Sequence, residues 1–367
     1  MTILLIKDLW KKTEHSYQLK DVSLAIYENE WLLITGPVNE GKEVLQNILL
    51  QFDEEFHGTV YFQNENIKKI KNYSEQVAFI HNHFTSEETE CNVYDYLSLP
   101  LKLKGFDEGE IFENIRKVTE EISCNLSFKK LIKDLSLREK VVVCLLRANL
   151  TKPKLLIIEE PFFELPNSKR QTIISVFKNF IKIWKKTTVI VFSSYASEWF
   201  EICDRVVLMK NYSISQIGEK KQLLQNPEQI FVTKYIDCTE VSYLKGCIKK
   251  GAFISDGLTF LLPQYTEEEF QIYEGQSVYI GLRASYFQIM EQTKLKDEGF
   301  TVSLPIHFFK GVDDRYMIYS NIGGNPVVAE IKNNGKIYEG QNLLLYYVFG
   351  DLLFFDGVTE LNLKRRG

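Results

Sequence analysis

The stretch Leu32-Leu33-Ile34-Thr35-Gly36-Pro37-Val38-Asn39-Glu40-Gly41-Lys42-Glu43-Val44-Leu45 constrains this chain more than any other. An apolar run ends in Gly36, four residues intervene, and Gly41-Lys42 opens a helical pattern. That is the G-x-x-x-x-G-K frame of a phosphate-binding loop set between a strand and a helix. Glycines let backbone amides converge on phosphate oxygens, the helix N-terminus adds positive dipole, and the lysine adds a full charge. The next position departs from the frame. Where a Ser or Thr hydroxyl would ligate Mg²⁺, the chain carries the carboxylate Glu43.

Around the loop, short apolar runs alternate with helical patterns. Leu4-Leu5-Ile6, Tyr17 to Ile26, Trp31 to Thr35, Gly58 to Phe62 and Val77 to Ile80 read as strands, and Lys42 to Leu50 as a helix. From about Glu87 to Leu150 the pattern is helical, interrupted by Pro100, Gly105 and the polar stretch Ser123 to Leu126. Lys154 to Ile158 and Thr188 to Phe192 are apolar runs of the kind buried in parallel sheets, with a helix expected from about Ser168 to Lys185. The class expected is α/β, with a helical subdomain inserted at about 83–150 and a domain covering 1–235. Beyond it, from 236 to 367, β-branched and aromatic runs punctuated by Gly, Asp and Asn predict an all-β barrel or sandwich. A faint repeat runs through that region: Gly275-Gln276-Ser277-Val278-Tyr279-Ile280 and Gly340-Gln341-Asn342-Leu343-Leu344-Leu345.

Composition excludes several classes. A net charge of -5 without a basic block argues against nucleic acid, and Lys68, Lys69 and Lys71 read as a solvated face. No stretch reaches the roughly 18 consecutive apolar residues of a membrane span, and the N-terminal apolar run is short for a signal peptide, so a cytoplasmic protein is expected. Cys91, Cys124, Cys144, Cys203, Cys238 and Cys247 form no C-x-x-C pair and read as core fillers in a reducing compartment. His15, His57, His81, His83 and His307 form no metal-like cluster; His81 and His83 read as polar residues at a strand end.

The loop, then Leu135-Ser136, then Glu159-Glu160 after a buried strand, succeed one another in a definite order. Gly275-Gln276-Ser277-Val278 to Gly281-Leu282-Arg283, and Leu353-Phe354-Phe355-Asp356 to Thr359, complete it. This order resembles the nucleotide-binding subunit of an ATP-binding cassette (ABC) transporter over essentially the whole chain. The C-terminal part is similar to the OB-fold-like (TOBE) extension of the maltose-type sugar-importer ATPases. The resemblance implies a P-loop NTPase domain of ABC type with its helical subdomain, followed by an all-β regulatory domain.

It also implies roles for single residues, and most are altered. Gly36, Gly41 and Lys42 match the phosphate loop, whereas Asn39 and Glu40 replace small residues and Glu43 the Mg²⁺ ligand. Asn82 falls where the family's glutamine senses the γ-phosphate and Mg²⁺. The signature L-S-G-G-Q appears as Leu135-Ser136-Leu137-Arg138-Glu139. Two readings stay open there: a remnant contact to a partner's nucleotide, or an ordinary helix cap in which Ser136 and Glu139 form a capping box. Glu159 stands at the Mg²⁺-water aspartate and Glu160 at the catalytic glutamate; the alternative for both is a polar strand end. Phe163-Glu164-Leu165-Pro166 replaces the S-A-L-D loop, and Ser194 takes the place of the switch histidine. Thr13 occupies the slot of the adenine-stacking aromatic, with Trp10 and Tyr17 as substitutes or as plain core and edge residues. Any metal site would draw on Glu43, Asn82 and Glu159, with ATP and Mg²⁺ as the ligands if nucleotide binds at all.

Together these departures imply a catalytically impaired ABC subunit of an importer for a carbohydrate or related solute, peripheral at the cytoplasmic face of the membrane. Its expected partners are a second, competent nucleotide-binding subunit, transmembrane permease subunits docked on the segment from Asn82 to about Leu101, and an extracellular solute-binding protein. The alternatives are an active homodimeric transport ATPase, in which Glu43 and Glu159 hold Mg²⁺ and Glu160 is the base, and a regulatory scaffold outside transport.

Overall fold

The apolar runs on either side of the loop become neighbours in one parallel sheet. The computed structural model describes residues 1–14, 16–81, 84–122, 126–160, 165–194, 196–236, 240–263, 271–290, 298–333 and 335–363. Contacts divide the chain into two units, Met1–Lys220 and Lys221–Gly367.

The first unit runs β1 (Thr2–Lys12), β2 (Tyr17–Tyr27), β3 (Trp31–Thr35), α1 (Lys42–Leu49), β4 (His57–Phe62), β5 (Glu65–Asn66), α2 (Tyr73–Gln76) and β6 (Val77–Ile80). The helices α3 (Ser86–Glu90), α4 (Val93–Leu103), α5 (Glu108–Glu121) and α6 (Leu137–Thr151) come next. It closes with β7 (Leu155–Glu159), α7 (Asn167–Ile181), β8 (Thr188–Ser193), β9 (Arg205–Lys210) and β10 (Ser213–Gly218). Six strands form a sheet in the order β10-β9-β3-β8-β7-β6, parallel except for β10. β3 and β8 are buried at every position, which is why they read as unbroken apolar runs. The register pairs Thr35 with Ser193 and Glu159 with Phe192, so the carboxyl ends of β3, β8 and β7 come side by side. Ligand crevices of open α/β sheets lie at such ends. An antiparallel sheet, β2-β1-β4-β5, contributes Leu4, Ile6, Leu24 and Ile26 to the same core as Ile34, Ile157 and Ile190.

In the helical region, α4 runs through Pro100, where an interruption is expected from the sequence. Proline withholds one N–H, and burial of Leu97 and Leu101 on either side of it outweighs that loss. The turn falls at Gly105 instead, at φ 80°. Cys91, Cys144, Cys203 and Cys247 are free and partly exposed as residues, although burial raises the thiols of Cys144 and Cys203, and Cys124 and Cys238 lie outside the described residues.

The second unit contains α8 (Lys220–Gln225, which starts at the boundary), α9 (Ile230–Ile236), β11 (Val241–Lys249), β12 (Ala252–Ser255), β13 (Leu258–Leu261), β14 (Ser277–Arg283) and β15 (Gln288–Ile289). β16 (Gly299–Pro305), β17 (Phe308–Val312), β18 (Arg315–Ile322), β19 (Asn325–Lys332), β20 (Asn342–Val348) and β21 (Leu353–Asp356) complete it. They form sheets β13-β12-β11-β14-β21, β15-β20-β16 and β17-β18-β19 around a core in which the Phe260 and Phe300 rings stack at 4.1 Å. The boundary expected near 235 falls at 220. α9 belongs with the β unit because Ile230 packs on Leu353 and Phe355.

The faint repeat is structural. Each copy is a Tyr-Glu-Gly-Gln turn in which the first residue's carbonyl accepts the fourth residue's N–H, from Gln276 to Tyr273 at 2.9 Å and from Gln341 to Tyr338 at 3.2 Å. Gly275 and Gly340 take φ 76° and 81°, which a type II turn requires at its third position. Each turn launches a strand, then a single 3₁₀ turn, then a second strand. The copies interlock reciprocally: β14 pairs with β21 and β15 with β20.

Gly36 is fixed by close approach. A Cβ there would lie 2.3 Å from the Met209 carbonyl oxygen of β9. Gly36→Ala is expected to destabilise the ligand-free chain by about 1–3 kcal/mol, as overpacking does elsewhere, read from the midpoint of denaturant unfolding.

Candidate functional site

The loop between β3 and α1 has the backbone of an anion cradle. Asn39 sits at φ 64° and Gly41 at φ 101°, turning the chain into α1, whose N-terminus has no side-chain cap. Lys42 opens the helix and is buried at 2% exposure. Its ammonium lies 2.5 Å from Glu43 Oε1 and 3.5 Å from Glu160 Oε1. Glu43 Oε1 also accepts the Asn39 N–H at 3.4 Å. Glu40 turns the other way, and its carboxylate accepts the Asn211 N–H in the β9–β10 turn.

Glu160 comes directly after β7 at φ 32°, a left-handed conformation that costs a non-glycine residue free energy and is seen mainly where the surroundings impose it. Its N–H donates to the Phe192 carbonyl at 2.7 Å. Its carboxylate accepts the Ser194 N–H, at 2.8 and 3.0 Å to the two oxygens, and the Ser194 hydroxyl at 2.7 Å. Glu159 accepts the Gln46 side-chain amide at 3.1 Å, and His81 Nδ1 stands 3.9 Å from its other oxygen. Gly36, Asn39, Gly41, Lys42, Glu43, Glu159, Glu160 and Ser194 therefore gather at the ends of β3, β7 and β8.

Two members of the cluster are not singled out by the sequence motifs. Gln46 lies one helical turn beyond Lys42 on the same face of α1, a spacing that could have revealed it. His81, which reads only as a strand-end residue, is brought to Glu159 by the pairing of β6 with β7, which no local pattern shows.

Other expected site residues lie elsewhere or take other roles. Asn82 falls outside the described residues, as do Phe163 and Glu164. Leu135 is buried, and Ser136 is the N-cap of α6: its hydroxyl accepts the Glu139 N–H while Glu139 accepts the Ser136 N–H at 2.7 Å. The capping-box alternative is thus realised. The Ser136 hydroxyl and N–H beside the carboxylate, with the Lys130 ammonium, hold the Glu139 carboxyl down at about 2. Near the expected adenine site, the Trp10 and Tyr17 rings meet edge to face at 5.9 Å, and the Lys12 and Lys20 ammoniums lie 5.3 and 5.9 Å from the Tyr17 ring centre. Among the described residues, no three His, Cys, Asp or Glu side chains converge on a metal position. The loop's backbone suits a phosphate oxygen, whereas the side-chain charge beside it does not suit magnesium triphosphate.

A cavity of about 550 Å³ opens between β6 and the helices, lined by Phe79, His81, Phe84, Tyr96, Pro100 and Arg147. Arg147 lies over the Tyr96 ring at 4.2 Å and pairs with Glu88 at 2.9 Å. Burial raises the Tyr96 hydroxyl above its ordinary value and pushes the Cys144 thiol up to about 12.

Residues 19–163 match the model of the ABC transporter family. Within the first unit, residues 19–163 belong to the ABC transporter family. Among curated relatives, the trehalose/maltose import ATP-binding protein MalK of Thermococcus litoralis is 21% identical over 96% of this chain and 97% of its own length. The oligosaccharides import ATP-binding protein MsmX of Bacillus subtilis is 22% identical over 96% and 99%. Both alignments run on through the β unit. Among solved structures, a nucleotide-free ATP-binding cassette from an ABC transporter superposes with TM-score 0.54 at 21% identity, covering 65% of this chain and 98% of that one. The cassette protein cbiO1 of Clostridium perfringens gives TM-score 0.55 at 20% identity over 60% and 90%. Another solved cassette, at TM-score 0.54, is in an ADP conformation.

Two measurements check the cluster and the α6 cap. Because Lys42 is buried beside two carboxylates, Lys42→Met is expected to lower the stability of the ligand-free protein by about 3 kcal/mol, leaving Glu160 with the Ser194 hydrogen bonds but without the facing positive charge; denaturant unfolding reads it. Glu139 should titrate near 2 by NMR, and Ser136→Ala should move its midpoint up toward an ordinary glutamate. The depressed value implies stability that is full above the ordinary glutamate range and is lost as pH falls through about 2.

Proposed function

We propose that this chain is the cassette subunit of an importer for a carbohydrate or related small solute, and that its own site does not turn over ATP. The importer reading is supported by relatives named for trehalose, maltose and oligosaccharide import that align over nearly the whole chain, β unit included. Among the described residues no helix is long and apolar enough to cross a membrane. The chain then works as a peripheral subunit at the cytoplasmic face, bound to permease subunits that receive solute from an extracellular binding protein. The cavity between β6 and α4, lined by aromatic rings together with charged groups such as Glu88 and Arg147, is where a permease helix would seat.

The observation that carries the loss of turnover is the state of Glu160. A general base must be within reach of the proton it takes and have a lone pair to offer. Glu160 instead accepts hydrogen bonds from the Ser194 N–H and hydroxyl and faces Lys42, so part of its accepting capacity and its orientation are already committed. Ser194 stands where the family has its histidine, so the group expected to stabilise developing charge is tied to the group expected to polarise water. Removing one such preorganised donor typically costs on the order of a hundred to a thousandfold in rate. The importer then draws its turnover from a second, competent cassette. An active homodimer is the second reading, favoured by the retention of Lys42 and Glu160.

The test is purification of the importer through a tag on this chain. The expected outcome is a complex with a second cassette of different sequence, whose ATPase rate is unchanged by Glu160→Gln. A complex with two copies of this chain whose turnover is abolished by Glu160→Gln would establish the active homodimer instead.

A further inference from the structure

Glu43 lies in the first turn of α1, and its side chain turns back into its own loop. One oxygen is held by the Lys42 ammonium at 2.5 Å and by the Asn39 amide at 3.4 Å. A loop amide and the loop lysine are the two kinds of donor that such a frame directs at a phosphate oxygen. We propose that Glu43 is an internal anion that takes the place of a polyphosphate oxygen in this loop, so that the chain folds around a cradle already neutralised and shuts nucleotides out of it. The inference rests on the reading that this chain's own site does not turn over ATP, and gives that reading a physical cause.

Three further observations fit. First, an ammonium at 2% exposure needs compensation from somewhere, and here Glu43 and Glu160 supply it without a ligand. Second, the surviving loop glycines have structural reasons to survive: a Cβ would lie 2.3 Å from the Met209 carbonyl oxygen at Gly36 and 2.9 Å from that of Gln18 at Gly41. Retention of the G-x-x-x-x-G-K frame is thereby explained by packing and by a buried ion pair, without any role for phosphate. Third, Glu40 fastens the loop to the Asn211 amide, holding it in place from the protein side. A second anion brought to within about 4 Å of Glu43 would be repelled, at an effective dielectric near 20, by an amount equivalent to about a thousandfold in affinity.

Full-length protein is compared with Glu43→Ser and Glu43→Gln by thermal shift and calorimetry, using inorganic pyrophosphate and ATP, each with and without Mg²⁺. Glu43 is 42% exposed, so neither variant threatens the fold. The wild type is expected to show no ligand-dependent shift. Both variants are expected to melt lower without ligand, and to gain pyrophosphate and ATP affinity on the order of a hundred- to a thousandfold, a gain lost again when Lys42→Met is added. Wild-type protection by ATP that disappears in Lys42→Met, or protection that needs both Mg²⁺ and Glu43, would overturn the inference while leaving the absence of turnover intact. So would failure of Glu43→Gln to gain any affinity. Conversely, the expected binding pattern combined with loss of importer ATPase in Glu160→Gln would keep the internal anion and remove the reading of a site without turnover.

Discussion

A lysine ammonium sealed from water at the end of a parallel sheet must find negative charge, and much of this cassette's site is a consequence of how it does so. Lys42 takes Glu43 from its own helix and Glu160 from the end of β7. Glu160 in turn is held by Ser194 at the end of β8, and adopts a left-handed backbone to reach both. The chain of contacts ties together the three central strand ends, the place where a cassette would grip a nucleotide. The same contacts hold the site together.

The sheet makes this possible because parallel strands bury both faces and present their carboxyl ends together. β3 and β8 are buried throughout, so their mutual register is set by packing. Once Thr35 faces Ser193 and Glu159 faces Phe192, the positions of Gly36, Glu160 and Ser194 are fixed within a bond or two. The C-terminal unit solves a different problem, closing short strands into sheets, by using one turn-and-strand device twice and crossing the copies. β14 pairs with β21 and β15 with β20, so neither copy completes its pairing without the other.

Much of this architecture is legible in the sequence. The buried runs of β3, β7 and β8, the loop, the helical insertion and the β-rich second half all carry local signals: apolar continuity, glycine spacing and period. Two features are not legible in that way. A boundary near 235 overlooks that α9 packs Ile230 against Leu353 and Phe355, residues far along the chain. A helix interruption at Pro100 overlooks that the burial of Leu97 and Leu101 outweighs one missing donor. At Leu135-Ser136 the sequence leaves two readings open, and the capping box forms because Ser136 and Glu139 sit at the right spacing to satisfy each other's amides.

By itself the sequence determined the chemical inventory of the site: a loop with its two glycines and lysine, a carboxylate in place of a hydroxyl at 43, paired acids at 159 and 160, a serine at 194. It also determined the frame, because burial patterns and turn glycines are local properties of the chain. Only the tertiary structure decided which of these groups meet. Ser194 reaches Glu160 across 34 residues, and Gln46 reaches Glu159 across 113, through strand register and helix placement that no single stretch encodes. Whether Glu43 faces solvent or turns onto Lys42 depends on the burial of that ammonium by the surrounding sheet, and a buried charge takes whichever opposite charge the fold leaves within reach.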